Sequence, residues 1–127
     1  MSAANKAFVT RYLEALSGKD KPPDALNRYI ADSDQDLKDH IAFFEAAFPR
    51  YELKIIDMLA EGNKVVVRGR FIGTHKGELM GIPPTNKTVE ADAAIIYEVE
   101  DGKIVSHWLL ADQAGLLQQL GVVPEKV

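Results

Sequence analysis

Two periods divide the chain. Up to residue 48 the apolar positions recur every three or four residues; from residue 51 they recur every two. Phe8, Val9, Tyr12, Leu13 and Leu16 share one face at helical spacing, behind Ser2, a residue able to cap a helix start. The pattern predicts a helix from Ser2 to about Leu16, ended by Ser17-Gly18. Pro22-Pro23 opens a short helical turn bearing Leu26, Tyr29 and Ile30, because proline suits the first helical position. Ser33, followed by Asp34, Gln35 and Asp36, reads as a further helix N-terminus. Leu37, Ile41, Phe44 and Phe48 mark its apolar face, and Pro49 stops it.

In the second half Tyr51, Leu53, Ile55 and Leu59 alternate with Glu52 and Lys54, and Asp57 interrupts the apolar series. Glu61-Gly62-Asn63 is a turn. Val65, Val67 and Phe71 then alternate with Lys64, Arg68 and Arg70. Residues 73–86 are rich in turn formers and read as a loop. Val89, Ala91, Ala93, Ile95, Tyr97 and Val99 form one face of a long strand. Asp101-Gly102 is a two-residue hairpin signal. Ile104 to Ala111 is a last strand, apolar on both faces. Asp112 to Leu120 is a closing helix stopped by Gly121. Helices followed by long antiparallel strands predict an α+β fold. A strand apolar on both sides needs cover on both. The helices can supply one cover and a second subunit the other, so a homodimer packed sheet to sheet is expected.

Composition narrows the function classes. The chain has 127 residues, 46 % of them hydrophobic and 27 % charged, and is read as one domain over residues 1–127. Its net charge of -4 argues against nucleic acid or an anionic membrane as partner, since both attract a basic face. With no cysteine, thiolate catalysis and cysteine-ligated metals are excluded. The N-terminal residues lack the apolar run of a signal peptide and no stretch is long enough to span a membrane, so a cytoplasmic protein is expected.

Candidate chemistry is sparse. Ala91, Ala93 and Ala94 leave volume in the middle of a strand, to be filled either by a ligand or by Phe44 or Phe48. His107 shares its strand parity with Val105, Leu109 and Ala111. It is either an acid–base group facing the interior or a core histidine bonded to backbone. Asp57 is either a desolvated general base or a solvated residue at a bulge. Asp112, between the last strand and the closing helix, reads first as a helix cap and second as catalytic. His40 can reach the mouth of the interior, and His75 is expected to be solvated on its loop. Three histidines on separate elements make no metal-binding spacing, so no metal is expected. A phosphate loop and a Gly-x-Ser-x-Gly elbow are both missing.

Gly73-Thr74-His75-Lys76-Gly77-Glu78, Gly81-Ile82-Pro83-Pro84-Thr85, Asp101-Gly102-Lys103-Ile104 and Gly115-Leu116-Leu117-Gln118-Gln119-Leu120-Gly121 together resemble the SnoaL-like polyketide cyclase family, densest from Ala47 to Pro124. The resemblance implies the cone of the nuclear transport factor 2 fold: a curved antiparallel sheet with N-terminal helices in its concave face. Tyr12, His40, Phe44, Ala91, Ala93, Ile95, Tyr97 and Leu109 are then expected to line a pocket for a small hydrophobic ligand. It also implies cyclisation without cofactor or metal, by an acid/base aspartate on the last strand. Here that position is Leu109, and the family's polar pocket positions fall at Ala93 and Ile95. Ile30 passes to Leu37 without room for the family's extra strand and loop. His107 and Asp112 do match family positions. The expected function is a cyclase- or isomerase-type acid–base enzyme acting on a small carbonyl compound; the alternative is a non-catalytic binding or scaffold dimer.

Overall fold

The computed structural model describes residues 2–121. Val122, Val123 and Pro124, where the sequence resemblance ends, lie outside the described residues, as do the ends of the expected 1–127 domain. Helices α1 (Ser2–Leu16), α2 (Pro23–Tyr29) and α3 (Gln35–Ala47) precede strands β1 (Glu52–Glu61), β2 (Lys64–Thr74), β3 (Thr88–Glu100) and β4 (Lys103–Ala111); helix α4 (Gln113–Gln119) closes the fold. The strands form one antiparallel sheet in the order β1-β2-β3-β4. The sheet is curved and unclosed, the cone-like α+β fold expected from the sequence.

Local chemistry explains the joints. Pro22 caps α2 and Pro23 begins it. A single 3-10 turn, Asp32–Asp34, precedes α3, so the cap is Asp34 rather than Ser33: its carboxylate accepts the Leu37 N–H at 3.1 Å. Asp101 and Gly102 both have positive φ (52° and 73°), as the β3-β4 turn requires.

Two bulges fix which side chains face inward. In β1 the register shifts between Ile55 and Asp57. Ile55 stays inside, Met58 and Ala60 follow it inward, and Asp57 and Leu59 turn outward. In β4 the shift falls at Val105: Ile104 pairs with Val99, and His107 with Tyr97. Ile104 and His107 therefore both lie on the inner face, three residues apart.

The core has two parts. One joins α1, α2 and α3 to the sheet through Val9, Tyr12, Leu13, Leu26, Ile41, Val67, Ile95 and Tyr97. The other gathers Ala47, Phe48, Leu79, Val89, Leu116 and Leu120. The outer face of the sheet carries a cross-strand row, Leu59, Val66, Ile96 and Trp108, flanked by Leu110. Leu59 is 71 % exposed, Leu110 62 % and Trp108 54 %, so this apolar row faces solvent in the single chain. Among the described residues, no helix is long and apolar enough to cross a membrane.

Candidate functional site

Between the two core clusters lies a cavity of about 570 Å³. The small side chains of Ala91 and Ala93 on β3 open its floor. Tyr12 on α1, His40 and Phe44 on α3, Ile95 and Tyr97 on β3, and His107 and Leu109 on β4 complete the wall. Phe48 does not fill the space; it is fully buried in the second cluster, under Phe71.

One end of this cavity is polar. His107 Nδ1 lies 2.8 Å from Asp34 Oδ2 and 3.0 Å from Oδ1. Both side chains are nearly sealed, 10 % and 5 % exposed. The contact spans 73 residues of chain, and its supports are visible. Ala31 N–H donates to Ile104 O at 2.8 Å, and the Ser33 hydroxyl donates to Val105 O at 2.9 Å. The Val105 bulge thus pins the 3-10 turn to β4 and carries Asp34 to the imidazole. A carboxylate that already accepts an amide N–H is an acceptor, so the proton shared with His107 resides on Nδ1. In the neutral imidazole Nε2 then keeps the lone pair, and His107 lines the cavity.

Tyr97 is the cross-strand partner of His107, and Tyr12 meets Tyr97 edge to face with ring centroids 5.7 Å apart. Burial pushes both phenols well above the ordinary tyrosine value. The neighbouring Tyr97 phenol adds to the shift at Tyr12, and Tyr51 adds to that at Tyr97. His40 stacks on Phe44, with centroids 4.7 Å apart. Burial first, and then His107 whenever that imidazole is protonated, lower its pKa from 6.5.

The opposite end is aromatic and closed by Lys21. Its ammonium donates to Lys19 O (2.9 Å), Glu45 Oε1 (3.0 Å) and Tyr51 O (3.0 Å), and sits 4.1 Å above the Tyr51 ring. Burial lowers its pKa, but all three N–H bonds are used, so it clasps the wall and has no donor left for a ligand.

The structure places three more of the candidates, and only His75 lies against expectation. Asp57 is no buried base: the β1 bulge turns it to the outer face, where it pairs with Arg68 at 3.1 Å. His75 is not solvated but wholly buried against Phe48 (0 % exposed). Its Nδ1 accepts the Thr85 N–H at 3.2 Å, and its Nε2 is sealed without a partner. Asp112 stands exposed at the cavity rim and caps α4, accepting the Gly115 N–H at 2.9 Å. Nothing in the sequence singles out Asp34 or Lys21 as part of this cavity. A Ser-Asp-Gln-Asp run announces a helix start, and nothing in it announces a partner on a distant strand. Among the described residues there is no group of three or more His, Cys, Asp or Glu able to hold a metal ion.

The sequence profile of the SnoaL-like polyketide cyclases matches residues 8–120. The chain belongs to the SnoaL-like polyketide cyclase family. Nogalonic acid methyl ester cyclase of Streptomyces nogalater is 39 % identical over 49 residues, a match covering 39 % of this chain and 37 % of that protein. The chain thus aligns with little more than a third of that relative. The crystal structure of AclR from Streptomyces galilaeus, a candidate hydroxylase, superposes with a TM-score of 0.84 at 25 % identity, covering 100 % of this chain and 87 % of that one. IdmH from Streptomyces antibioticus, a candidate polyketide cyclase, gives 0.78 at 26 %, covering 93 % and 99 %. SnoaL-like neighbours thus carry different candidate reactions on one fold, and the reaction has to be argued from the site.

Proposed function

We propose that this SnoaL-like protein is a cofactor-independent acid–base enzyme, a cyclase or isomerase, acting on a small, largely apolar carbonyl compound. The observation that carries the reading is the His107–Asp34 pair on the cavity wall. Asp34 orients the imidazole and stabilises the imidazolium, and Nε2 takes a proton from carbon next to the carbonyl. This differs from an aspartate-based cyclisation, because the side chain at that position, Leu109, cannot carry a proton. Ala93 and Leu109 instead supply apolar surface for a ring. Asp112 acts as a helix cap in this reading.

The exposed row Leu59, Val66, Ile96 and Trp108 supports a homodimer packed sheet to sheet. A second reading, a binding protein without turnover, is favoured by Leu109 and by the apolar floor.

The test is exchange of carbon-bound hydrogen in D2O, followed by mass spectrometry. Nogalonic acid methyl ester and simple enolisable aryl ketones serve as substrates. The enzyme reading expects exchange or ring closure that disappears in His107→Gln. Tight binding of the ketone with exchange no faster than in buffer alone would leave the binding reading standing.

A further inference from the structure

The polar end of the cavity holds two phenols that His107 does not need for its own support. Of the buried side-chain polar atoms among the described residues, only His75 Nε2 is both sealed and unpartnered. Tyr12 and Tyr97 line the cavity although their residues are just 2 % and 1 % exposed. Their hydroxyls face each other: Tyr12 donates toward Tyr97, a contact that adds to the upward shift at Tyr12 and works against it at Tyr97. The pair therefore keeps one phenol proton, that of Tyr97, with no acceptor of its own among the described residues, beside the histidine that pairs with Tyr97 across the sheet.

We propose that Tyr12 and Tyr97 form an oxyanion site that receives the enolate or phenolate oxygen of the ligand. This rests on the reading of the cavity as a carbonyl-binding site with His107 as base. As Nε2 takes the proton, the C–H bond breaks, its electron pair becomes a C=C bond, and the carbonyl π pair moves onto oxygen. Tyr97 donates to that oxygen, backed by Tyr12, which donates toward Tyr97. In isomerisation the imidazolium, neutralised by Asp34, returns the proton to carbon. In ring closure the enolate carbon bonds to a second carbonyl carbon of the same molecule, that carbonyl's π pair moves onto its oxygen, and the resulting alkoxide takes the proton. No redox partner is needed. Donors that stay protonated at working pH and are fixed before reaction stabilise charge where it develops. Burial keeps both phenols protonated in this way. The ligand class follows: a ketone enolisable beside a flat ring, or a phenol of matching shape.

The probe is 4-nitrophenol, whose absorption separates phenol from phenolate. The site predicts that the wild-type protein binds the phenolate and lowers the apparent pKa of the bound probe. Tyr12→Phe and Tyr97→Phe keep their packing and lose only the hydroxyl. Each should cut phenolate affinity about tenfold or more, with affinity for the neutral phenol unchanged. His107→Gln should keep the phenolate preference. Binding of the phenol form alone, no binding at all, or phenylalanine variants indistinguishable from wild type would overturn the oxyanion site. If phenolate binding follows the tyrosines but no ketone exchanges its hydrogen, the base role of His107 fails and the oxyanion site stands. If exchange depends on His107 and phenolate binding ignores the tyrosines, this proposal alone fails.

Discussion

His107 and His75 both have Nδ1 satisfied, yet they occupy sites of opposite kind. At His107 the partner of Nδ1 is a carboxylate, an acceptor, so Nδ1 carries the proton and Nε2 is left as a base. At His75 the partner is a backbone N–H, a donor, so Nδ1 carries the lone pair and the proton sits on Nε2. His107 lines a cavity; the Nε2–H of His75 has no acceptor among the described residues. The surroundings differ in the same sense. The His75 loop is seated on the end of α3, with Lys76 and Gly77 N–H both donating to Ala47 O, and a side chain at position 77 would collide with the Ala46 carbonyl. His107 belongs to an open space, His75 to a packed seam. What a histidine can do is decided by the group on its other nitrogen.

The comparison breaks most sharply under substitution of the two histidines themselves. His107→Gln should reduce kcat/KM for hydrogen exchange by roughly 100- to 10,000-fold, the usual weight of a general base. His75→Gln should leave the exchange rate of the folded protein within about twofold. In stability the ranking reverses. His75→Ala empties a sealed, packed position and should cost about 3 kcal/mol, read as a lower urea midpoint.

Asp34 joins the functional site to the fold, because it both caps α3 and orients His107. Asn caps about as well as Asp but cannot hold the same proton. Asp34→Asn should therefore lower exchange on the order of a hundredfold with little loss of stability, whereas Asp34→Ala should lose about 1 kcal/mol as well. Equal stability losses in the two variants, with unchanged exchange, would reduce Asp34 to a cap.

The smallest effect concerns His40 and pH. Its folded pKa lies below the ordinary 6.5, mainly through burial, and only the nearby Asp36 carboxylate opposes the shift. The unfolded chain thus binds the proton more readily than the folded one. The corresponding stability is complete above pH 6.5 and is lost as pH falls from there through the folded pKa. The carboxylates of Asp20 and Asp32, held below 3.8 by Arg50 and Lys38, act only at lower pH and do not overlap. Urea midpoints between neutral and mildly acid pH should fall less in His40→Gln than in wild type.

Much of the fold is written in the period of the apolar residues. The helix to Leu16, the strand face from Val89 to Val99 and the Asp101-Gly102 turn each follow from local chemistry. The bulges do not. One extra residue near Ile56 reverses Asp57, and a parity count along β1 has no local signal for it. His107 survives its own bulge because Val105 absorbs the extra residue before the histidine. The Asp34 contact was illegible for a different reason: it depends on a turn pinned to a strand 73 residues away. His75 misled through its polar, glycine-rich neighbours, which suggest a solvated loop, while the loop in fact folds back on α3.

The most direct test is a long-range 1H–15N spectrum of the three histidine side chains at mildly alkaline pH, which reads the protonated nitrogen of each ring. The account predicts a proton on Nδ1 of His107 and on Nε2 of His75. A proton on Nε2 of His107 would contradict it, because the imidazole would then offer the cavity a donor in place of a base.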